Sequence, residues 1–98
     1  MILVRNTFQL HFGKAKEAKA VVKDGLKALK ALGLIENRAY IDFTGPFYTL
    51  VLENTWDSLA VFEKAMAEMG ANKEWQEWYA KLVPLVKSGH REIYSVIE

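Results

Sequence analysis

Ile2-Leu3-Val4-Arg5-Asn6-Thr7-Phe8-Gln9-Leu10-His11-Phe12-Gly13 is the stretch that decides the fold. Ile2, Val4, Phe8, Leu10 and Phe12 recur at every second place, and Leu3, Arg5, Thr7, Gln9 and His11 fall between them. Side chains alternate across a strand, so this period predicts a strand over 2–12 with one face buried and Gly13 as its end. The period then lengthens. Ala18, Val22, Leu26, Leu29 and Leu32 share one face of a helix predicted over 14–32, with Gly33 as its stop and Gly25 a mild flaw inside it. A one-faced strand and a one-faced helix need further elements around the same core.

Those elements follow in order. Residues 35–44 alternate again, with Ile35, Asn37, Ala39, Ile41 and Phe43 set against Glu36, Arg38, Tyr40, Asp42 and Thr44. Gly45-Pro46 signals a turn into a hairpin partner over 47–53. Thr55, Asp57 or Ser58 can cap a helix carrying Leu59, Phe62, Met66 and Met69, which Gly70 closes. Asn72 can cap another, in which Trp75, Trp78, Tyr79, Leu82 and Val86 recur at helical spacing until Pro84 kinks or ends it. Lys87-Ser88-Gly89 reads as the exit, and 90–97 as the last strand. Strand–helix–strand thus occurs twice around a hairpin. This predicts an α+β, ferredoxin-like β-α-β-β-α-β fold: a four-stranded antiparallel sheet with strands 1 and 3 central, all helices on one face, and the second crossover split into two helices. The chain of 98 residues reads as a single domain over 1–98.

Composition narrows the class. An apolar fraction of 51% and a charged fraction of 26% are those of a globular chain, not a disordered one. With no Cys, disulfides, thiolate metal sites and a cysteine nucleophile are all excluded. No signal peptide or bilayer-length apolar run is visible, so a cytoplasmic, membrane-free protein is expected. Segment 14–32 holds six lysines against Glu17 and Asp24, a local +4 that leaves −3 elsewhere out of a net +1. Lys16, Lys19, Lys23, Lys27 and Lys30 lie opposite the apolar stripe, as on a solvated face, and no arginine or aromatic interleaves them. Nucleic-acid binding is therefore not expected. The third strand, Phe47-Tyr-Thr-Leu-Val-Leu-Glu53, also lacks the basic-glycine-aromatic signature of an RNA-binding sheet.

The helix-free face of the sheet would carry Arg5, Thr7, Gln9 and His11 from the first strand and Glu36, Arg38, Tyr40 and Asp42 from the second. Antiparallel sheets tolerate water on one face, but Leu3, Tyr40 and opposite charges in pairs favour a face shared with a second copy. On the covered face Asn6 is the anomaly, an amide among Ile2, Val4, Phe8 and Leu10. Such a group must be hydrogen-bonded, and Tyr79 is its nearest expected polar partner on a helix. Trp75, Trp78 and Tyr79 form either core or the aromatic wall of a pocket, while Trp56 reads as packing. His11 and His90 are the only histidines and fall at expected strand ends. Either has the pKa range of a general base, but a partly exposed, idle histidine is the commoner case. Neither stands at metal-ligand spacing, and there is no phosphate loop or nucleophile elbow, so neither metal nor cofactor is expected.

Four segments stand out: Phe8-Gln-Leu-His-Phe-Gly-Lys14 with Glu17-Ala18, then Glu53-x-x-Trp56-x-Ser58-Leu59-Ala60-x-Phe62, Glu74-Trp75-Gln76, and Ser88-Gly89-x-Arg91-Glu92-Ile93-Tyr94. Together they resemble the dimeric α+β barrel superfamily, and within it the NIPSNAP-like and antibiotic-biosynthesis-monooxygenase-like domains. The resemblance implies a homodimer joined through its sheets and a ligand pocket between each sheet and its own helices. It also implies that some relatives oxidise aromatic polyketides or quinols without a cofactor and that others degrade haem. Asn6 matches the strand-1 Asn of the haem-degrading branch. This chain has Trp75, Trp78 or Tyr79 where that branch has a helical His, and Ala65 where it has a Trp, which argues against haem chemistry.

Three functions then compete. The leading one is a small-molecule-binding dimer, extending to a cofactor-independent monooxygenase or isomerase on a hydrophobic, carbonyl-bearing ligand. Asn6, Trp75, Trp78 and Tyr79 would bind it, and Tyr79 or His11 would move a proton. The alternative is a non-catalytic binding or assembly module with a filled pocket. An RNA-binding sheet is third.

Overall fold

The computed structural model of the chain describes residues 1–31 and 37–98. The expected helix stop at Leu32-Gly33 and the strand positions Ile35 and Glu36 lie outside the described residues. The elements run β1 (Ile2–Leu10), α1 (Ala15–Ala31), β2 (Asn37–Ile41), β3 (Thr49–Trp56), α2 (Leu59–Gly70), α3 (Lys73–Leu82) and β4 (Val86–Ser95), with a 3-10 turn at Val83–Leu85 before β4. One antiparallel sheet has the order β2-β3-β1-β4, so strands 1 and 3 are central.

The helix starts have local causes. Ser58 caps α2 by accepting from the Val61 amide at 3.2 Å, and Asn72 caps α3 by accepting from the Trp75 amide at 2.9 Å. Pro84 sits in the 3-10 turn, where its fixed φ and missing N–H end α3 without a lost bond. Between β2 and β3, Asp42 accepts from the Thr49 amide at 2.7 Å and closes the connection.

Four local expectations are corrected. Strand β1 stops at Leu10, where its pairing with β4 shifts register. Phe12 is therefore not a core residue but is 78% exposed, its ring 5.5 Å from that of Tyr48. Trp56 is the last residue of β3, paired with Ile2, instead of following the strand. Strand β4 begins at Val86, four residues before the predicted start, which puts His90 inside the strand opposite Thr7. Gly89 is no exit signal. It pairs with Phe8, and a Cβ there would stand 2.8 Å from the Phe8 ring. Only glycine lets the two strands keep that ring between them.

Leu10, Ala18, Val22, Leu50, Leu82 and Leu85 form the buried core, with Phe8, Leu26 and Trp78 packed against it. This core lies where β1 ends. Toward the start of β1, Phe62 of α2 contacts Trp56, ring centres 5.7 Å apart. Asn6 stands between these two packed ends, where the helices stand off from the sheet.

Candidate functional site

The space left between sheet and helices is a cavity of about 450 Å³. Its floor comes from one face of the sheet, because pairing fixes which residues share a side. Asn6 of β1 stands between Leu52 of β3 and Arg91 of β4, Phe8 stands beside Gly89 of β4, and Asn54 follows two places along β3 on the same face. Its walls come from Leu26 and Leu29 of α1, Met66 and Met69 of α2, and Trp75, Trp78 and Tyr79 of α3.

Trp78 determines the shape of the wall. Its indole Nε1–H donates to the Val21 carbonyl of α1 at 2.6 Å, and its ring lies 4.7 Å from that of Trp75. A Cβ on Gly25 would overlap the indole. Gly25, expected to be a flaw in the helix, is the notch that admits Trp78; the helix-propensity cost of about 1 kcal/mol is offset by this contact.

The polar end of the cavity is organised around Asn6. Arg91 Nε donates to Asn6 Oδ1 at 2.7 Å, and the guanidinium stands 5.3 Å from the centre of the Phe62 ring. Arg91, not Tyr79, is thus the partner of the amide. Tyr79 lines the cavity and is 47% exposed. Asn54, also at the cavity, accepts from Trp56 Nε1 at 2.6 Å, so Trp56 both packs and orients a lining amide.

The four expected ligand-binding residues, Asn6, Trp75, Trp78 and Tyr79, are brought to one cavity. His11 is not among its lining: it is exposed beyond the end of β1, its backbone amide bonded to the Leu85 carbonyl at 2.9 Å. His90 borders the cavity, but its side chain lies toward the opposite face of the sheet, with Nε2 3.7 Å from Glu92. No cluster of metal-ligating side chains occurs among the described residues. Arg91 and Asn54 are the residues that sequence reasoning missed. The signal for Arg91 was its even spacing from Ile93, already inside the strand predicted over 90–97.

The NIPSNAP family profile matches residues 5–98. The chain belongs to the NIPSNAP family. Its fold is that of a NIPSNAP family protein from Agrobacterium tumefaciens (TM-score 0.88, 18% identity, 99% of this chain and 86% of that one). An uncharacterized NIPSNAP domain protein from Burkholderia xenovorans is also similar (TM-score 0.85, 17% identity, 99% and 95%). So is an antibiotic biosynthesis monooxygenase (TM-score 0.78, 10% identity, both chains covered at 100%). A search of curated proteins returns no match. Identities this low carry the NIPSNAP fold and not a shared chemistry. No helix among the described residues is long and apolar enough to cross a membrane.

Proposed function

We propose that this NIPSNAP chain is a small-molecule-binding protein whose ligand is hydrophobic, carries a carbonyl group and sits between the sheet and its helices. The observation that carries this reading is the cavity itself. Its volume of about 450 Å³ falls in the range of small-molecule sites. Its walls are aromatic and aliphatic, and Asn6 and Arg91, bonded to each other, are polar groups of its floor. Among the described residues Asn6 makes one side-chain hydrogen bond, through its oxygen, so its amide N–H groups are left to hold a ligand carbonyl.

Of the two proton-carrier candidates only Tyr79 borders the cavity, and monooxygenase or isomerase chemistry would have to pass through its hydroxyl. Binding is the core of the proposal, in a cytoplasmic setting and in a dimer formed through the helix-free faces. The dimer is supported by the exposure of Tyr40 at 45% and by the alternating charges around it.

The test is a thermal melt of wild type and Asn6→Leu against a panel of quinones and aromatic ketones. A ligand at a hundred times its Kd stabilises by about 2.7 kcal/mol, so a wild-type shift absent from Asn6→Leu is expected, with unliganded stability little changed. An unshifted wild type, with Asn6→Leu destabilised by about 1–3 kcal/mol, would assign Asn6 to structure alone.

A further inference from the structure

We propose that Arg91 is an anion anchor and that the ligand of the cavity is an apolar carboxylate. This rests on the ligand-binding reading above and names its ligand class. Arg91 is held in place without being neutralised. Asn6 Oδ1 takes the Nε–H at 2.7 Å, and Phe62 presents its ring 5.3 Å from the guanidinium carbon. Both constraints fix the plane of the fork, and neither supplies a negative charge.

The carboxylates that register brings closest are occupied elsewhere. Glu53 is bonded to Arg5 at 2.6 Å, and Glu92, on the opposite face, takes the Tyr94 hydroxyl. Ion pairs among the described residues engage Arg5, Lys14, His90 and the N-terminus, and none engages Arg91. Both Nη groups therefore remain available, in the planar arrangement that matches a carboxylate in two parallel hydrogen bonds. Phe8, Leu52, Met66, Trp75 and Trp78 line the apolar part of the space; of the charged residues that also border it, Glu53 is taken by Arg5, His90 stands near Glu92, and Arg38 lies across the sheet on β2. A ligand that satisfies both ends has a carboxylate head at the β4 edge and an apolar body directed toward the tryptophans.

The experiment uses matched acids and neutral esters: 2-naphthoate against methyl 2-naphthoate, and decanoate against methyl decanoate. Calorimetry and the fluorescence of Trp75 and Trp78 provide the readouts. Charge-assisted hydrogen bonds predict that wild type binds the acids roughly 10- to 100-fold more tightly than the esters. Arg91→Gln should weaken the acids until acid and matched ester bind equally in that variant. Asn6→Asp, which gives Arg91 an internal carboxylate, should do the same to the acids. Should either variant fail to fold, wild type alone decides: acid binding must weaken with added salt while ester binding does not. Equal wild-type affinity for acid and ester would overturn the anchor and leave the cavity a binding site. Failure of all four compounds to bind at millimolar concentration would overturn both readings.

Discussion

Two arginines show how differently the two faces of this sheet are built. Arg5 and Asn6 are neighbours in β1, and alternation sends them to opposite sides. On the open side Arg5 donates to Glu53 at 2.6 Å and stands 5.4 Å from the ring centre of Tyr94, which bonds Glu92. That hydrogen bond to Glu53 raises the Arg5 pKa further above its already high ordinary value. On the covered side Arg91 meets an amide and a ring. The open face pairs Arg5 with Glu53 and sets His90 near Glu92, which leaves a patterned surface suited to a partner of matching pattern. The covered face keeps one charge unmatched beside an apolar hollow. The same residue type is structural in one setting and available in the other, and the difference lies in whether its acceptor is a carboxylate.

The contrast can be broken from the covered side first. Trp78→Ala removes a half-buried ring and its bond to Val21, and a loss of about 3 kcal/mol is expected in urea denaturation. The open face should not notice, so the alkaline titration of Tyr94 should be unchanged in the variant. From the open side, Tyr40→Glu or charge reversal at Arg38 should shift the self-association equilibrium by an order of magnitude or so toward monomer, with the fold intact. Sedimentation would measure it, and a wild type already monomeric at micromolar concentration would remove the open face as an interface.

The smallest effect concerns pH. Tyr94 donates to Glu92, and this bond holds its pKa above the ordinary tyrosine value of 10.0. A raised native pKa means that the stabilisation is complete below the unfolded value and is lost as pH climbs through the native one. The stability difference between wild type and Tyr94→Phe should therefore be flat through neutrality and begin to shrink only above about pH 10.

Much of this was legible in the chain because period and punctuation are local signals. Alternation in 2–12 separated Arg5 from Asn6, and Ser58 and Asn72 stood where caps belong. The same alternation marked Asn6 as anomalous, and the helical spacing of Trp75, Trp78 and Tyr79 pointed toward the same interior. What was not legible depends on distance between elements. Gly25 and Gly89 look like breaks until the Trp78 indole and the Phe8 ring are placed against them. Reading Gly89 as a terminus moved the start of β4 and hid the register that pairs Arg91 with Asn6. A charged residue on an outer strand reads as idle surface, and only its bond to Asn6 ties it to the cavity.

Strand β4 is the last in the sheet order and runs for ten residues, so its outer backbone groups have no neighbouring strand among the described residues. Such an edge is a template for uncontrolled sheet growth. The protections along it are Lys87, Arg91 and Glu92, charged side chains distributed over both faces, together with the register shift near Leu10 that breaks the flat run. Arg91 would thus have a second use, as a gatekeeper against aggregation. Its replacement by an apolar residue would lower the concentration at which the protein stays dispersed, even where the folded state is no less stable.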